Sequence, residues 1–240
     1  MSKELLTVCV PQGAPADVPR AIAAAMTPYD YNRDLGPDFD AVDTWWDYWK
    51  IDGLGCEFMV LPGHEADPRL IRGTETLTGQ PRNVPPTLCD GGPRALLDLE
   101  TPRTRAAAEQ RRAFEAWQTF SSAYPPSHPS DHFWARHFAD PEHCPAAQAI
   151  EDYRTQPVIA ALINNPELCD LIGGDPVARY VHDIDYLVRD AADSALATQA
   201  LLTLDGKWLS IRGAEEMRYF NDYLDSLPAD ALAVRVKYHG

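Results

Sequence analysis

The order of apolar segments along the 240 residues predicts an α+β protein with a ferredoxin-like sheet, interrupted by a large and mostly helical insertion. Three observations carry this expectation. The N-terminal region reads as a strand followed by a helix, the C-terminal region as strand, strand, helix, strand, and the stretch between them is dominated by helical periodicity. The two ends together make a βα–(insert)–ββαβ order, with a sheet core in residues 1–30 and 196–240. The whole chain is then one domain, with 31–195 as the insertion, irregular over 31–100 and helical over 101–195.

Leu5 to Val10 is almost wholly apolar or β-branched, the pattern of a strand covered on both faces. Asp17 is placed to cap a helix whose inner stripe is Val18, Ile22 and Met26, and Pro28 ends it. Near the other end, Thr198–Leu204 and Lys207–Ile211 flank Asp205-Gly206, the dipeptide that favours a two-residue type I′ hairpin. Ala214, Met217, Phe220, Leu224 and Leu227 share a helical face that Pro228 terminates. In the last strand Leu232, Val234, Val236 and Tyr238 face one way, and Ala233, Arg235 and Lys237 the other. Both helices of such a sheet lie on one face, so the tryptophan-bearing insertion is expected to cover the second face. Within the insertion, Thr101-Pro102 opens a helix with Ala106, Ala113, Phe114, Trp117 and Phe120 inward. Further helices begin near Pro145 and Pro157. Asp175-Pro176 opens a long one with its stripe on Val177, Tyr180, Val181, Ile184, Leu187, Val188 and Ala191.

Composition narrows function. Thirty-six acids against 21 Lys and Arg give a formal charge of −15, which argues against general nucleic-acid binding and against anionic membranes. The acids are scattered singly, so solubility explains them better than mimicry of DNA. Five widely spaced cysteines without a Cys-x-x-Cys pair fit reduced thiols in the cytoplasm. Neither a signal-peptide pattern nor a bilayer-length apolar run appears.

The densest unusual chemistry is the run Trp45-Trp46-Asp47-Tyr48-Trp49-Lys50-Ile51-Asp52-Gly53. With Thr27-Pro28-Tyr29-Asp30-Tyr31-Asn32, Cys89-Asp90-Gly91-Gly92-Pro93, the Ala200–Trp208 hairpin and the closing Val236-Lys237-Tyr238-His239, it gives a series of anchors spanning nearly the whole chain. In this order they resemble a family of uncharacterised proteins of actinobacteria and their phages, marked by a Trp-Asp-Trp-x-x-Ile-Gly-Gly-type motif. Asp52 stands in place of the first glycine of that motif, and Lys237 where the family tends to have Asp. The resemblance implies the architecture and an actinobacterial or phage source; it implies no reaction, substrate or cofactor.

Trp45, Trp46, Tyr48, Trp49 and Asp52 are the candidate ligand-binding residues, because indole and phenol rings stack on bases, sugars or partner side chains. Strand alternation sends Trp46 and Tyr48 one way and Trp45 and Trp49 the other. The expected surface lies where this run meets the Cys89–Pro93 turn, and the leading expectation is a small cytosolic binding or interaction protein whose partner is an unknown small molecule or protein. The alternative is a hydrolase-like enzyme with Cys89 as nucleophile, His239 as base and Asp90 or Asp52 as orienting acid. A third reading is a phage or mobile-element inhibitor of a host protein. His128, His132, His137, His143 and Cys144 carry zinc-ligand types, but the spacings match no zinc motif and solvated loop histidines explain them. His182, Asp183 and Asp185 fall on or near the wet side of their helix, and His64-Glu65-Ala66-Asp67 lacks a second histidine. No metal and no cofactor is expected.

Overall fold

The computed structural model describes residues 3–13, 15–32 and 44–240. The fold is mixed α+β, and the chain divides into two compact units. One comprises residues up to Arg103 together with Asp193–Gly240, and the other is Thr104–Ala192. The irregular half of the expected insertion therefore belongs with the sheet, and the part of it at 33–43 lies outside the described residues.

In the first unit the strands are β1 (Lys3–Val10), β2 (Tyr48–Ile51), β3 (Phe58–Val60), β4 (Leu88–Cys89), β5 (Gly91–Pro93), β6 (Leu97–Asp98), β7 (Ala200–Leu202), β8 (Trp208–Ser210) and β9 (Leu232–His239). The main sheet runs β2-β9-β1-β7-β8, with β5 also on β9, and β4-β3-β6 form a second, small sheet. β1 and β9 pair antiparallel over eight residues, from Lys3 opposite His239 to Val10 opposite Leu232. The two ends of the chain thus form one layer, as the apolar pattern requires.

The strand order departs from the ferredoxin-like expectation. In a split β-α-β arrangement another strand separates the two that a helix connects. Here β1 hydrogen-bonds directly to β7, in parallel, with Leu6 opposite Ala200 and Val8 opposite Leu202. The helices depart too. Helix α1 (Val18–Met26) buries Val18, Ile22 and Met26 against Leu6, Val8 and Val10, together with Val234 and Val236. The C-terminal helix (Ala214–Ser226) buries Phe220 and Leu224 against Cys9, Leu201 and Ala233. Neighbouring side chains of a strand point to opposite faces, so the two helices lie on opposite faces of the sheet. Trp46, Trp49 and Trp208 pack on the α1 face, while Phe58, Val60 and Leu97 of the small sheet, with Leu96 just before it, share the other face with the C-terminal helix. The alternation of β9 holds, but its second face is buried as well: Arg235 is 1% exposed.

The hairpin turn is one residue longer than a type I′ turn. Within the turn only Gly206 has a positive φ, +81°, and among the described residues no non-glycine residue does. Gly206 N–H donates to Thr203 O (3.0 Å) and Thr203 N–H to Lys207 O (3.0 Å), the pattern of a type I turn closed by a left-handed glycine.

The second unit is helical. It contains most of α2 (Glu100–Ser121), then α3 (Ser130–Ala139), α4 (Ala146–Arg154), α5 (Pro157–Ile163), α6 (Pro166–Ile172), α7 (Pro176–Arg179) and most of α8 (Ile184–Ser194); the C-terminal helix of the first unit is α9. Its core is Ala113, Trp117, Val158, Ile159, Leu162, Ile172, Tyr180 and Leu187. Asp175 opens α7, accepting from Val177 N (3.1 Å), Ala178 N (3.3 Å), Ser130 N (2.6 Å) and Tyr153 Oη (3.0 Å). Burial works against its charge, but these donors win and hold its carboxyl below the usual range. The long helix expected from Asp175 is broken: the chain leaves helical geometry at Tyr180–Asp183, and Val181, placed in the apolar stripe, is 75% exposed.

Candidate functional site

The aromatic run is positioned by two short pieces of backbone pairing. Trp45 N–H donates to Tyr29 O (2.9 Å) and Tyr31 N–H to Trp46 O (2.7 Å), which lays residues 29–31 beside 45–46. From Tyr48 the chain becomes β2 and pairs with β9, Tyr48 opposite His239 and Ile51 opposite Val236. Alternation therefore applies only from Tyr48 onward. Trp46 and Trp49 both pack into the α1 face, Trp46 donating its indole N–H to Met26 O at 3.0 Å, whereas Tyr48 is 48% exposed.

Trp45 is half-buried at the surface. It lines two cavities, of about 340 Å³ and about 350 Å³, that share Thr44, Trp45 and Gly240. The first sits at one end of the main sheet, bounded by Glu4 of β1, Gln199, Ser210 of β8, Ile211, Arg212 and Tyr238 of β9. The second is bounded by Tyr31, Trp46 and Asp47. Trp45 is backed by Trp208, ring centroids 6.2 Å apart and 9° from parallel, and Trp208 meets Tyr29 and Tyr238 at 5.2 and 5.3 Å. Tyr29 braces the hairpin, accepting from Trp208 N (3.1 Å) and donating to Gly206 O (2.7 Å). Tyr238 donates to Glu4 Oε2 at 2.6 Å, and burial with that carboxylate raises its pKa above the ordinary phenol value. Asp47 is fixed by His239 Nδ1 on its Oδ1 at 2.7 Å. Among the described residues Arg212 makes no ion pair.

The expected meeting of the aromatic run with the Cys89–Pro93 turn does occur, but as buried structure. Gly53 N–H donates to Asp90 Oδ1 (2.7 Å), Gly73 N–H to Asp90 Oδ2 (2.6 Å) and Leu77 N–H to Asp52 Oδ2 (2.8 Å). Arg82, its side chain 3% exposed, pairs with Asp52 (3.2 Å), Asp90 (2.9 Å) and Glu57 (2.7 Å). Asp90 O accepts from Arg235 N–H, and Arg235 O from Asp52 N–H, so this network closes the seam where β2 and β5 lie end to end along β9. Gly91 is required in that seam, because a Cβ there would stand 2.5 Å from Ala233 O. Burial pushes the Asp90 carboxyl upward against its amide donors and Arg82; burial also opposes the Arg82 charge, but the carboxylates outweigh it and raise the arginine's pKa. Asp52, 1% exposed, lines neither Trp45 cavity and is a structural partner of Arg82.

Cys89, His239 and Asp90 are not brought together as a catalytic set. Gly91 faces Val234, and His239 stands five residues further along β9, roughly 17 Å at the strand rise. Cys89 lies only two residues before Gly91, so about 10 Å or more still separates it from His239. The thiol is fully buried opposite Phe58, and desolvation pushes its pKa up to about 12, the opposite of an activated nucleophile. All five cysteines are free.

The histidines of the second unit are dispersed. His132 and His137 belong to α3 rather than to a loop. His128 and His132 stack at 4.1 Å, His137 Nδ1 contacts Cys144 O at 2.8 Å, and His143 lies on Asp140. His182 and Asp183 fall in the break before α8, and His182, Asp183 and Asp185 are exposed. No group of three or more His, Cys, Asp or Glu among the described residues could hold a metal ion, and no helix among them is long and apolar enough to cross a membrane.

Comparison of the chain with protein-family models, with curated proteins and with solved structures finds no match. The sequence pattern missed Tyr31, Glu4, Gln199, Ser210, Arg212 and Gly240 as cavity residues, and Arg82 as the ion that ties Asp52 to Asp90. Tyr31 and the closing Tyr238-His239 lie in the segments Thr27–Asn32 and Val236–His239 singled out in the sequence, the one signal that pointed toward them.

Proposed function

We propose that this is a binding protein whose ligand is a small molecule seated against Trp45. One observation carries the reading: an indole backed by a second, near-parallel indole forms the shared wall of two cavities at the end of a sheet. Cavities of this size suit a small ligand, and a rigid aromatic wall with a few polar groups is the usual make-up of such sites. The first cavity offers an arginine, an amide, a hydroxyl and a carboxylate held by a tyrosine; the second offers three aromatic rings and an aspartate.

The test is a ligand-observed NMR screen of small ring compounds and small ions against the protein and against Trp45→Ala. Hits whose binding disappears in the variant support the proposal. A screen whose hits bind both proteins equally, or that yields no hit, removes it.

A further inference from the structure

The second cavity has the composition of a cage for an organic cation, and we propose that it takes a methylated ammonium group. This rests on the Trp45 site being a binding site and assigns the chemistry of its occupant. Of its six lining residues, Tyr31, Trp45 and Trp46 are aromatic and Asp47 is a carboxylate. The negative faces of such rings attract a cation, and a methylated ammonium loses less on leaving water than a bare one, so rings can replace its hydration shell.

The cage is built rather than incidental. Backbone hydrogen bonds from Trp45 to Tyr29 and from Tyr31 to Trp46 fix two walls relative to each other. Trp46 is held by its indole N–H on Met26 O, and Trp45 by its stack on Trp208. Asp47 is anchored twice to His239, through its own N–H on His239 O (3.0 Å) and through Oδ1. The chain's net charge of −15 favours arrival of a cation. Through the shared wall at Trp45 the cage adjoins the cavity lined by Arg212, Gln199 and Ser210. A ligand with a methylated ammonium at one end and an anionic group at the other would place the anion beside that arginine. Free zwitterions and a methylated lysine side chain of another protein share the ammonium chemistry.

Calorimetric titration with glycine betaine, choline, a trimethyl-lysine peptide, the same peptide unmethylated, and 3,3-dimethylbutanol as the neutral isostere of choline tests this. Choline is expected to bind at least threefold more tightly than its neutral isostere, which is the ~0.7 kcal/mol of a cation–π contact at an exposed site. Tyr31→Ala should remove most of that preference and Tyr31→Phe retain it; Tyr31 is 68% exposed, so neither variant threatens the fold. Tighter binding of betaine than of choline, lost in Arg212→Leu, assigns a free zwitterion. Tighter binding of the methylated peptide than of either assigns a protein-borne group. Equal affinity for choline and its isostere, or no binding of any methylated ammonium at millimolar concentration, overturns the cage. Trp45-dependent hits of other chemistry in the NMR screen would then leave the binding proposal standing without it.

Discussion

Two arginine side chains are buried near the β9 seam, and the fold holds them in opposite ways. Arg82 comes from an irregular loop and is matched by three carboxylates, two of which also receive backbone amides. Arg235 belongs to β9 itself and, among the described residues, has no carboxylate on its guanidinium. It donates to Thr7 Oγ1 (2.6 Å) and Leu196 O (3.1 Å), lies 4.1 Å over the Phe58 ring and 5.8 Å from Phe220, and its Nε finds no partner. Burial pulls its pKa down to about 10, still far enough above neutrality to keep it charged. The comparison separates two uses of a buried cation. Arg82 neutralises carboxylates that the seam's backbone needs as acceptors. Arg235 fills a slot between two aromatic rings, where shape and the ring faces matter more than charge pairing.

The sharpest way to break this contrast is Arg82→Met. It strands Asp90 and Glu57 without their cation and leaves Asp52 only Lys237 at 4.0 Å, and losing one partner of a buried ionic network costs about 3–5 kcal/mol. Urea unfolding at pH 7 should show that loss. It should shrink on acidification, because the Asp90 carboxyl is already pushed upward by burial and its protonated form needs no cation. A variant as stable as the parent would mean the carboxylates do not depend on Arg82.

A smaller effect comes from the thiols near Arg235. Burial pushes Cys9 and Cys89 from 9.0 up to about 12, even though the arginine favours their ionised forms. Their folded pKa values lie above the ordinary value, so the stabilisation is complete below pH 9 and is lost as pH rises toward 12. Each thiol should cost the fold about 2 kcal/mol by pH ~10.5, the product of the excess pH and the energy of one pKa unit. Unfolding curves of Cys89→Ala across this range should decline less steeply than those of the parent. Iodoacetamide should label the half-buried Cys56 and Cys169 before Cys9, Cys89 and Cys144. Early labelling of Cys89 would contradict its burial.

The smallest change is expected for Arg235→Met. Loss of a cation–π contact worth about 2 kcal/mol is offset by relief from desolvating a charge that has no counter-ion, so the net cost should stay near 1 kcal/mol. The same urea titration measures it. A loss as large as that of Arg82→Met would show that Arg235 carries an ionic role that the geometry does not display.

Much of the frame could be read from periodicity. Leu5–Val10, the Val18-Ile22-Met26 stripe, the Phe220-Leu224 face and the alternation of Leu232–Tyr238 all depend on local spacing, and each appears where that spacing puts it. Strand order could not be read, because a parallel neighbour and a split arrangement require the same segments in the same sequence. The strands of the small sheet are two or three residues long, too short for any period to show. Helix α3 was hidden by Pro129 and its histidines, although Pro129 precedes the helix and does not interrupt it. At the site, Trp45 stood out by composition. Its companions did not, because Glu4, Tyr31, Gln199, Arg212 and Tyr238 come from separate stretches that only the finished sheet brings together.

The pairing of Lys3 with His239 also sets a timetable. During synthesis the apolar first segment emerges from the ribosome long before the strand that will flank it. Until translation reaches Leu232–His239, Leu5–Val10 lacks its longest neighbour, and a nascent chain stalled before that point offers it to chaperones or to other copies of itself.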